Sequence, residues 1–387
     1  MVERDTKMYK KVIYIVKTDL HYYPPCMMQI RYLKACGVIV EVWFASSNPS
    51  ALQILDREQI PYVCLGESPR IKSRLGKVKN WLEFRRNIHT QLKTINSSER
   101  DQTLLWIGTA ESAIPLLGLL DQYHYNLTML ELMDDKKNTF KRRLFGMMAK
   151  KAKCLVACEH TRAYLMRYWF GLDKLPYVMP NKPYELGTER YAEPSCEQTG
   201  KSIAPIKGRK FIIYQGIYWK LDYLKALAKA LSAMNSDYYF VLMGFDLLKT
   251  NAYEEIRKIY HKVIEVSSLP APLHLEVTSH ANIGLVFYDD STLNQAFCAP
   301  NKIYEYSGFG IPMLANRIPG LENTVGKFNA GRCVNFCTEE LIHAIRDIDA
   351  NYEIYQKNAS ALYESVDNRS VMETIIKDAG IEKEKNK

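Results

Sequence analysis

Pro300-Asn301-Lys302-Ile303-Tyr304-Glu305-Tyr306-Ser307-Gly308-Phe309-Gly310-Ile311-Pro312 sets one carboxylate between an apolar strand and a glycine turn. The residues before it, Ala281 to Tyr288, form a short apolar run, the pattern of a parallel strand buried on both faces. A loop from Asp289 to Pro300 follows, and Asn301 to Phe309 reads as a short helix. The first amides of such a helix are unpaired and carry partial positive charge, so its start suits a diphosphate. Glu305 lies one turn further in, where a carboxylate can accept hydrogen bonds from two adjacent hydroxyls, as in the grip on a ribose. Gly308 and Gly310 end the helix, and Ile311 to Ala315 starts the next strand. Taken alone, Glu305 would be an ordinary solvated helix residue. The surrounding Asn301, Lys302, Gly308, Gly310 and Pro312 point instead to a site.

Two more strand ends carry glycine, in Tyr214-Gln215-Gly216 and in Leu242-Met243-Gly244-Phe245-Asp246. Glycine there lets a phosphate approach the backbone and opens the next helix. Lys220, just after Gly216, is a candidate for phosphate neutralisation, the alternative being a solvated lysine. In the first half, Leu130-Glu131-Leu132-Met133-Asp134-Asp135 follows a strand and offers Glu131 and Asp134 as polar groups for chemistry. Helix capping is the other role for Asp134 or Asp135.

The segment from 300 to 312 resembles the donor motif of retaining glycosyltransferases of the GT-B fold, specifically the family 4 group, many of which carry a Pro-Asn-Lys-x-x-Glu-Tyr form of it. The resemblance implies that Glu305 binds the nucleotide ribose, with Asn301 and Lys302 at the helix start. It also implies that Gly216 lies beside the donor diphosphate and Gly244 near the nucleobase. Family members often have a second glutamate eight positions before the first; here that position is Phe297, and backbone amides around Cys298 and Ala299 are expected to take over its contact with the donor sugar. Ile217 stands where an arginine is frequent, and Met133 where a histidine is frequent.

Strands and helices alternate along the chain. Strands are expected at Lys11 to Val16, Val38 to Phe44, Tyr62 to Leu65, Thr103 to Ile107, Leu127 to Leu132 and Cys154 to Ala157, with a helix at Cys26 to Cys36. Residues 183–210 are rich in Gly, Ser, Thr and Pro and read as a linker. Alternation restarts with a strand at Phe211 to Tyr214, a helix at Leu221 to Met234 and a strand at Tyr238 to Met243. This is α/β with two doubly wound, Rossmann-like domains, and the resemblance implies that they face a central cleft. The expected division is an acceptor-binding domain at 1–182, the linker, a nucleotide-sugar domain at 211–366, and a terminal helix and tail at 367–387 that cross back to the first domain. No Gly-x-Gly-x-x-Gly follows the first strand; its loop is Lys17-Thr-Asp-Leu-His-Tyr-Tyr-Pro-Pro25, which argues against a nicotinamide dehydrogenase.

The chain of 387 residues is 47% hydrophobic and 25% charged, as expected of a globular protein. No apolar run is long enough to cross a bilayer and Met1 to Lys11 lacks a signal-peptide core, so a cytoplasmic location is expected. The nine cysteines fit free thiols there, and neither Cys154/Cys158 nor Cys333/Cys337 has zinc-site spacing. The net charge of +9 is uneven: residues 1–180 hold 28 Lys and Arg against 17 Asp and Glu. Arg70 to Arg86 and Lys141 to Lys153 mix these cations with Trp81, Phe84, Phe145, Met147 and Met148. That pattern fits a face on anionic lipid headgroups, and equally a solvated basic helix with its apolar side packed on its own domain. No nucleic-acid-binding module accompanies the charge.

The expectation is thus a retaining glycosyltransferase that moves a sugar from a nucleotide-diphosphate sugar, UDP-sugar favoured, to a saccharide or lipid-linked acceptor in cell-surface polysaccharide assembly. The alternatives are a sugar-nucleotide 2-epimerase of the same fold and a non-catalytic sugar-nucleotide-binding subunit. No Asp-x-Asp pair stands out as a metal site, and catalysis without a cofactor or obligatory metal is expected.

Overall fold

The computed structural model describes residues 8–45, 49–66, 73–134 and 139–384. It divides into unit 1, residues 1–184 with 367–387, and unit 2, residues 185–366. Unit 1 is built on strands β1 (Lys11–Val16), β2 (Ile39–Phe44), β3 (Tyr62–Cys64), β4 (Thr103–Ile107), β5 (His124–Met129), β6 (Leu155–Ala157) and β7 (Tyr177–Val178), in the order β3-β2-β1-β4-β5-β6-β7. Unit 2 is built on β8 (Phe211–Ile217), β9 (Tyr239–Phe245), β10 (Val263–Ser267), β11 (Ile283–Val286), β12 (Met313–Asn316) and β13 (Gly331–Val334), in the order β10-β9-β8-β11-β12-β13. The neighbours in each sheet run parallel.

Both sheets are covered on both faces, which is why their strands read as nearly unbroken apolar runs. Side chains alternate along a strand, so β1 sends Val12, Tyr14 and Val16 into one core and Ile13 and Ile15 into the other. The first core holds the Pro24–Ala35 helix; the second holds the Arg74–Leu92, Thr139–Ala149 and His160–Phe170 helices. In unit 2, Ile212 and Tyr214 of β8 meet the Leu221–Ala233 helix, while Phe211 and Ile213 meet the Asn301–Gly308 helix on the opposite face.

Residues 185–210 do not form a free linker. They pack on unit 2 and include a helix, Glu197–Ile203. Their polar composition serves hydrogen bonds: Arg190 donates to the Ala281 carbonyl, and Ser195 donates through its amide and hydroxyl to the Glu276 carboxylate. Ile203 and Ile206 anchor the segment in the core, and Leu186 packs against it. Two adjoining helices, Thr338–Ala350 and Tyr352–Glu364, follow the last strand of unit 2.

The Asn368–Ala379 helix completes unit 1. Met372, Ile375, Ile376 and Ala379 are buried in the core under the Pro24–Ala35 helix. The Tyr9 amide donates to the Gly380 carbonyl at 2.7 Å, and the Asn368 side chain donates to the Pro180 carbonyl at 2.8 Å. Ile375→Ala deletes fully buried methyl groups here and is expected to cost about 2–5 kcal/mol. Four of the five tryptophans lie in unit 1, so tryptophan fluorescence during urea unfolding should show its transition moving to lower denaturant.

Candidate functional site

In a doubly wound sheet, ligands sit beyond the carboxyl ends of the strands where the chain order reverses. In unit 2 that place is the end of β8, flanked by β9 and β11. The Leu221–Ala233 helix packs on one face there and the Asn301–Gly308 helix on the other, on either side of the strand that ends in Gln215 and Gly216.

Gly216 has φ +126°, a backbone region that side-chain-bearing residues rarely adopt. It pairs in register with Gly244 of β9, and a Cβ on Gly244 would lie 1.8 Å from the Gly216 carbonyl oxygen. Both positions are therefore glycine for steric reasons at one spot, and the backbone there is bare. A Cβ on Gly216 would lie 3.5 Å from the Lys302 ammonium.

Lys302, second residue of its helix, holds this ammonium 4.8 Å from the centre of the Tyr214 ring and 5.8 Å from that of Tyr288. Among the described residues it has no hydrogen-bond acceptor and no ion pair. Burial brings its pKa down to about 8, although the charge of Glu305 works against the shift. Tyr214 is held as a platform by stacking on Phe287, with ring centres 4.7 Å apart, and by donating to the Ile217 carbonyl at 2.8 Å.

Glu305 stands nearby on the same helix, its side chain 12% exposed. One carboxylate oxygen accepts from the Gln215 side-chain amide, and the other lies 3.5 Å from His274 Nε2. The Thr278 hydroxyl, with one proton to donate, lies 2.8 Å from Gln215 Oε1 and 2.9 Å from the His274 carbonyl oxygen. Strand end, Asn301–Gly308 helix and the short His274–Thr278 helix are thus tied through one carboxylate. Gln215, His274 and Thr278 escape the sequence reading. Gln215 has a signal, a polar residue in an otherwise apolar strand; His274 and Thr278 have none.

Other expected donor residues are placed differently. Lys220 pairs with Asp289 at 2.8 Å, and that hydrogen bond raises its pKa despite some opposing burial. The Cys298 amide, expected to face the donor sugar, donates to the Gln295 carbonyl at 3.1 Å. The Cys298 backbone is pressed against Gly320, where a Cβ would come within 2.6 Å of its nitrogen. A turn engages that amide; Ala299, one residue further on, is half-buried. Asn301 opens the helix after Pro300, which has no side-chain group to cap it. An Asp-x-Asp does occur, Asp347-Ile348-Asp349, but it lies on the Thr338–Ala350 helix. Asp347 binds Tyr355 and Asn351 there, and Asp349 binds Tyr238 and Lys210.

Glu131 and Asp134 belong to unit 1, in the loop after β5; Glu131 is exposed and Asp134 half-buried, while Asp135 lies outside the described residues. Met133 turns into the core and its carbonyl accepts from Arg142 at 3.1 Å. The end of β1 gathers a second polar cluster. Lys17 is buried, its amide donates to Ser112 at 2.8 Å, and its ammonium has no hydrogen-bond or ion-pair partner among the described residues. Burial lowers the Lys17 pKa, with Glu111 opposing and Lys141 reinforcing the shift. The Thr18 hydroxyl is buried beside the Tyr23 phenol. Burial pushes the neighbouring Tyr23 phenol up to about 12, helped by the charges of Glu111 and Glu131.

No protein-family model and no curated protein sequence matches this chain. Solved structures match over nearly its whole length. A glycosyltransferase from Rickettsia africae has 13% identity and a TM-score of 0.66, the match covering 96% of this chain and 98% of that one. Alr3699/HepE from Anabaena, in complex with UDP and glucose, has 12% identity and a TM-score of 0.64, covering 95% and 99%. A UDP-GlcNAc 2-epimerase from Neisseria meningitidis, bound to UDP-GlcNAc, has 13% identity and a TM-score of 0.62, covering 95% and 99%. The protein has the GT-B fold, two Rossmann-like α/β units with parallel sheets.

The contact between Gly216 and Gly244 is open to test. Gly244→Ala forces two strand ends apart and is expected to destabilise unit 2 by roughly 1–3 kcal/mol in chemical denaturation. Alanine at Gly187, which has open space around it, should leave the midpoint unchanged.

Proposed function

We propose that the protein is a retaining glycosyltransferase that takes its sugar from a nucleotide-diphosphate donor, a UDP-sugar being favoured. The observation that carries this reading is the unpartnered Lys302 ammonium beside the bare Gly216 backbone, with Glu305 on the same helix. A diphosphate would supply the missing anion, and Glu305 would accept hydrogen bonds from the ribose hydroxyls while Gln215 fixes its direction. UDP is favoured because UDP or a UDP-sugar is named with matching structures.

In the transfer, the bond from the anomeric carbon to the diphosphate oxygen breaks as the bond to an acceptor oxygen forms on the same face. The acceptor's proton passes to the departing diphosphate. Lys302, with the helix-start amides, would stabilise the charge that grows on the diphosphate, so no side chain has to remove the proton. Lys220 is the weaker candidate for this task, because Asp289 already satisfies it. Unit 1 would bind the acceptor, a saccharide or lipid-linked saccharide, through the cluster of Lys17, Thr18, Tyr23 and Glu111, with Glu131 and Asp134 nearby in sequence to β5. Cell-surface polysaccharide assembly from the cytoplasmic side is the process such a pair of substrates suits.

A second reading, epimerisation of a UDP-sugar, is favoured by the match to a 2-epimerase. The two part cleanly: incubating the protein with UDP-sugars alone yields a new UDP-sugar if it is an epimerase, whereas a transferase releases UDP in step with glycosylation of an added acceptor.

Calorimetric titration with UDP and UDP-sugars tests the donor site. Glu305→Ala should weaken binding by about ten- to a hundredfold, the range for hydrogen bonds to a charged group. Lys302→Ala should weaken it similarly, and Lys220→Ala far less; equal losses at the two lysines would remove the assignment to Lys302.

The pH dependence follows from the depressed Lys302 pKa. Between about 8 and the usual lysine range the unfolded chain holds more protons at this residue than the folded one, so its contribution to stability rises with pH there. A bound diphosphate favours the charged form and raises the pKa. Donor binding should therefore take up protons near pH 8 and weaken as pH rises through it. Calorimetry in buffers of different ionisation heat measures that uptake, which Lys302→Arg should abolish.

A further inference from the structure

Three helices cover one face of the sheet in unit 1: Arg74–Leu92, Thr139–Ala149 and His160–Phe170. Each buries one side, through Phe84 and Ile88, through Phe145 and Met148, and through Ala163 and Met166. Their outward sides are the unusual part. On the first helix Leu75, Val78 and Leu82 fall on one stripe, with Leu75 85% and Leu82 62% exposed, and Arg86 continues the stripe one turn on. On the second, Phe140 is 70% exposed and shares a stripe with Arg143 and Met147, while Lys150 follows just past the helix end. The third presents Tyr164, Arg167 and Tyr168.

Two cation–π contacts join the helices side by side. The Lys141 ammonium lies 5.5 Å from the centre of the Trp81 ring, and the Arg142 guanidinium 4.6 Å from that of Trp169. The three helices hold ten Lys and Arg residues and one acidic residue, Glu83. A globular protein rarely leaves large apolar side chains this exposed in a group, and here cations interleave with them.

We infer that this face docks on an anionic lipid bilayer. Each component has a task there: the lysines and arginines meet lipid phosphates, Leu75, Leu82, Phe140 and Met147 enter the acyl boundary, and the tyrosines suit the headgroup layer. A nucleic acid would use the cations but give the exposed leucines and phenylalanine nothing to bury against. Among the described residues no helix is long and apolar enough to cross a membrane, so the attachment is peripheral. The inference does not depend on the proposed sugar transfer.

Flotation of the full chain with vesicles of phosphatidylcholine alone, or mixed with phosphatidylglycerol, tests it. Wild type should float with the mixed vesicles only, and less as salt rises. Replacing Lys79, Arg86 and Arg143 together by alanine should lower the partition by about fivefold per cation removed. Replacing Leu75, Leu82 and Phe140 together by serine should abolish flotation although the charge is intact; far-UV circular dichroism verifies that these surface variants stay folded. Glu83→Lys should bind more tightly than wild type. The inference is overturned if wild type ignores the mixed vesicles, if the serine variant floats like wild type, or if Glu83→Lys gains nothing. It is also overturned if duplex DNA is bound tightly and equally by wild type and the serine variant.

Discussion

Where β8 and β9 end side by side, the carbonyl oxygen of Gly216 occupies the space that any side chain at Gly244 would need. This close approach sets the floor of the candidate site. It leaves bare backbone at Gly216, keeps the Tyr214 ring free to sit under the Lys302 ammonium, and aims Gln215, one residue earlier on β8, at Glu305. A bulkier residue at either glycine would disturb the cation, the platform and the carboxylate together, because all three are referenced to the same strand end.

The two lysines near that floor illustrate how environment separates identical side chains. Lys220 meets Asp289, itself held below the usual carboxylate range: burial opposes this, but hydrogen bonds from Lys220 and Ser291 outweigh it. Its charge is already balanced. Lys302 faces aromatic rings, which attract a cation but accept no hydrogen bond, so its proton is held loosely. Only a lysine in the second situation gains much from an incoming anion, and the contrast is set by tertiary neighbours: Asp289 lies 69 residues after Lys220 in sequence, and Tyr214 lies 88 residues before Lys302.

The parts of the structure legible in the sequence are those decided locally. Short apolar runs locate β1, β2, β4, β8 and β9, and the helix from Asn301 is marked by Pro300 before it and Gly308 and Gly310 at its end. Glu305 is found because it lies inside that local pattern. His274 and Thr278 are not, since they reach Glu305 and Gln215 only through the folding of unit 2. Composition misleads at 185–210, where polar residues signify bonds to Glu276 and Ala281 rather than freedom from the core. The Cys298 amide illustrates a similar point: spacing does not reveal that it donates to the Gln295 carbonyl.

Unit 2 is continuous in sequence, whereas unit 1 is assembled from residues 1–184 and a last segment beginning at 367. During synthesis on a ribosome, the first 184 residues emerge long before the helix that covers Met28 and the neighbouring core. Unit 2 has all its strands outside the exit tunnel before that helix appears. The order of completion is therefore the reverse of the order of translation, and the nascent first half carries an uncovered apolar groove for the time it takes to make some 180 residues, a span in which a chaperone is its natural company.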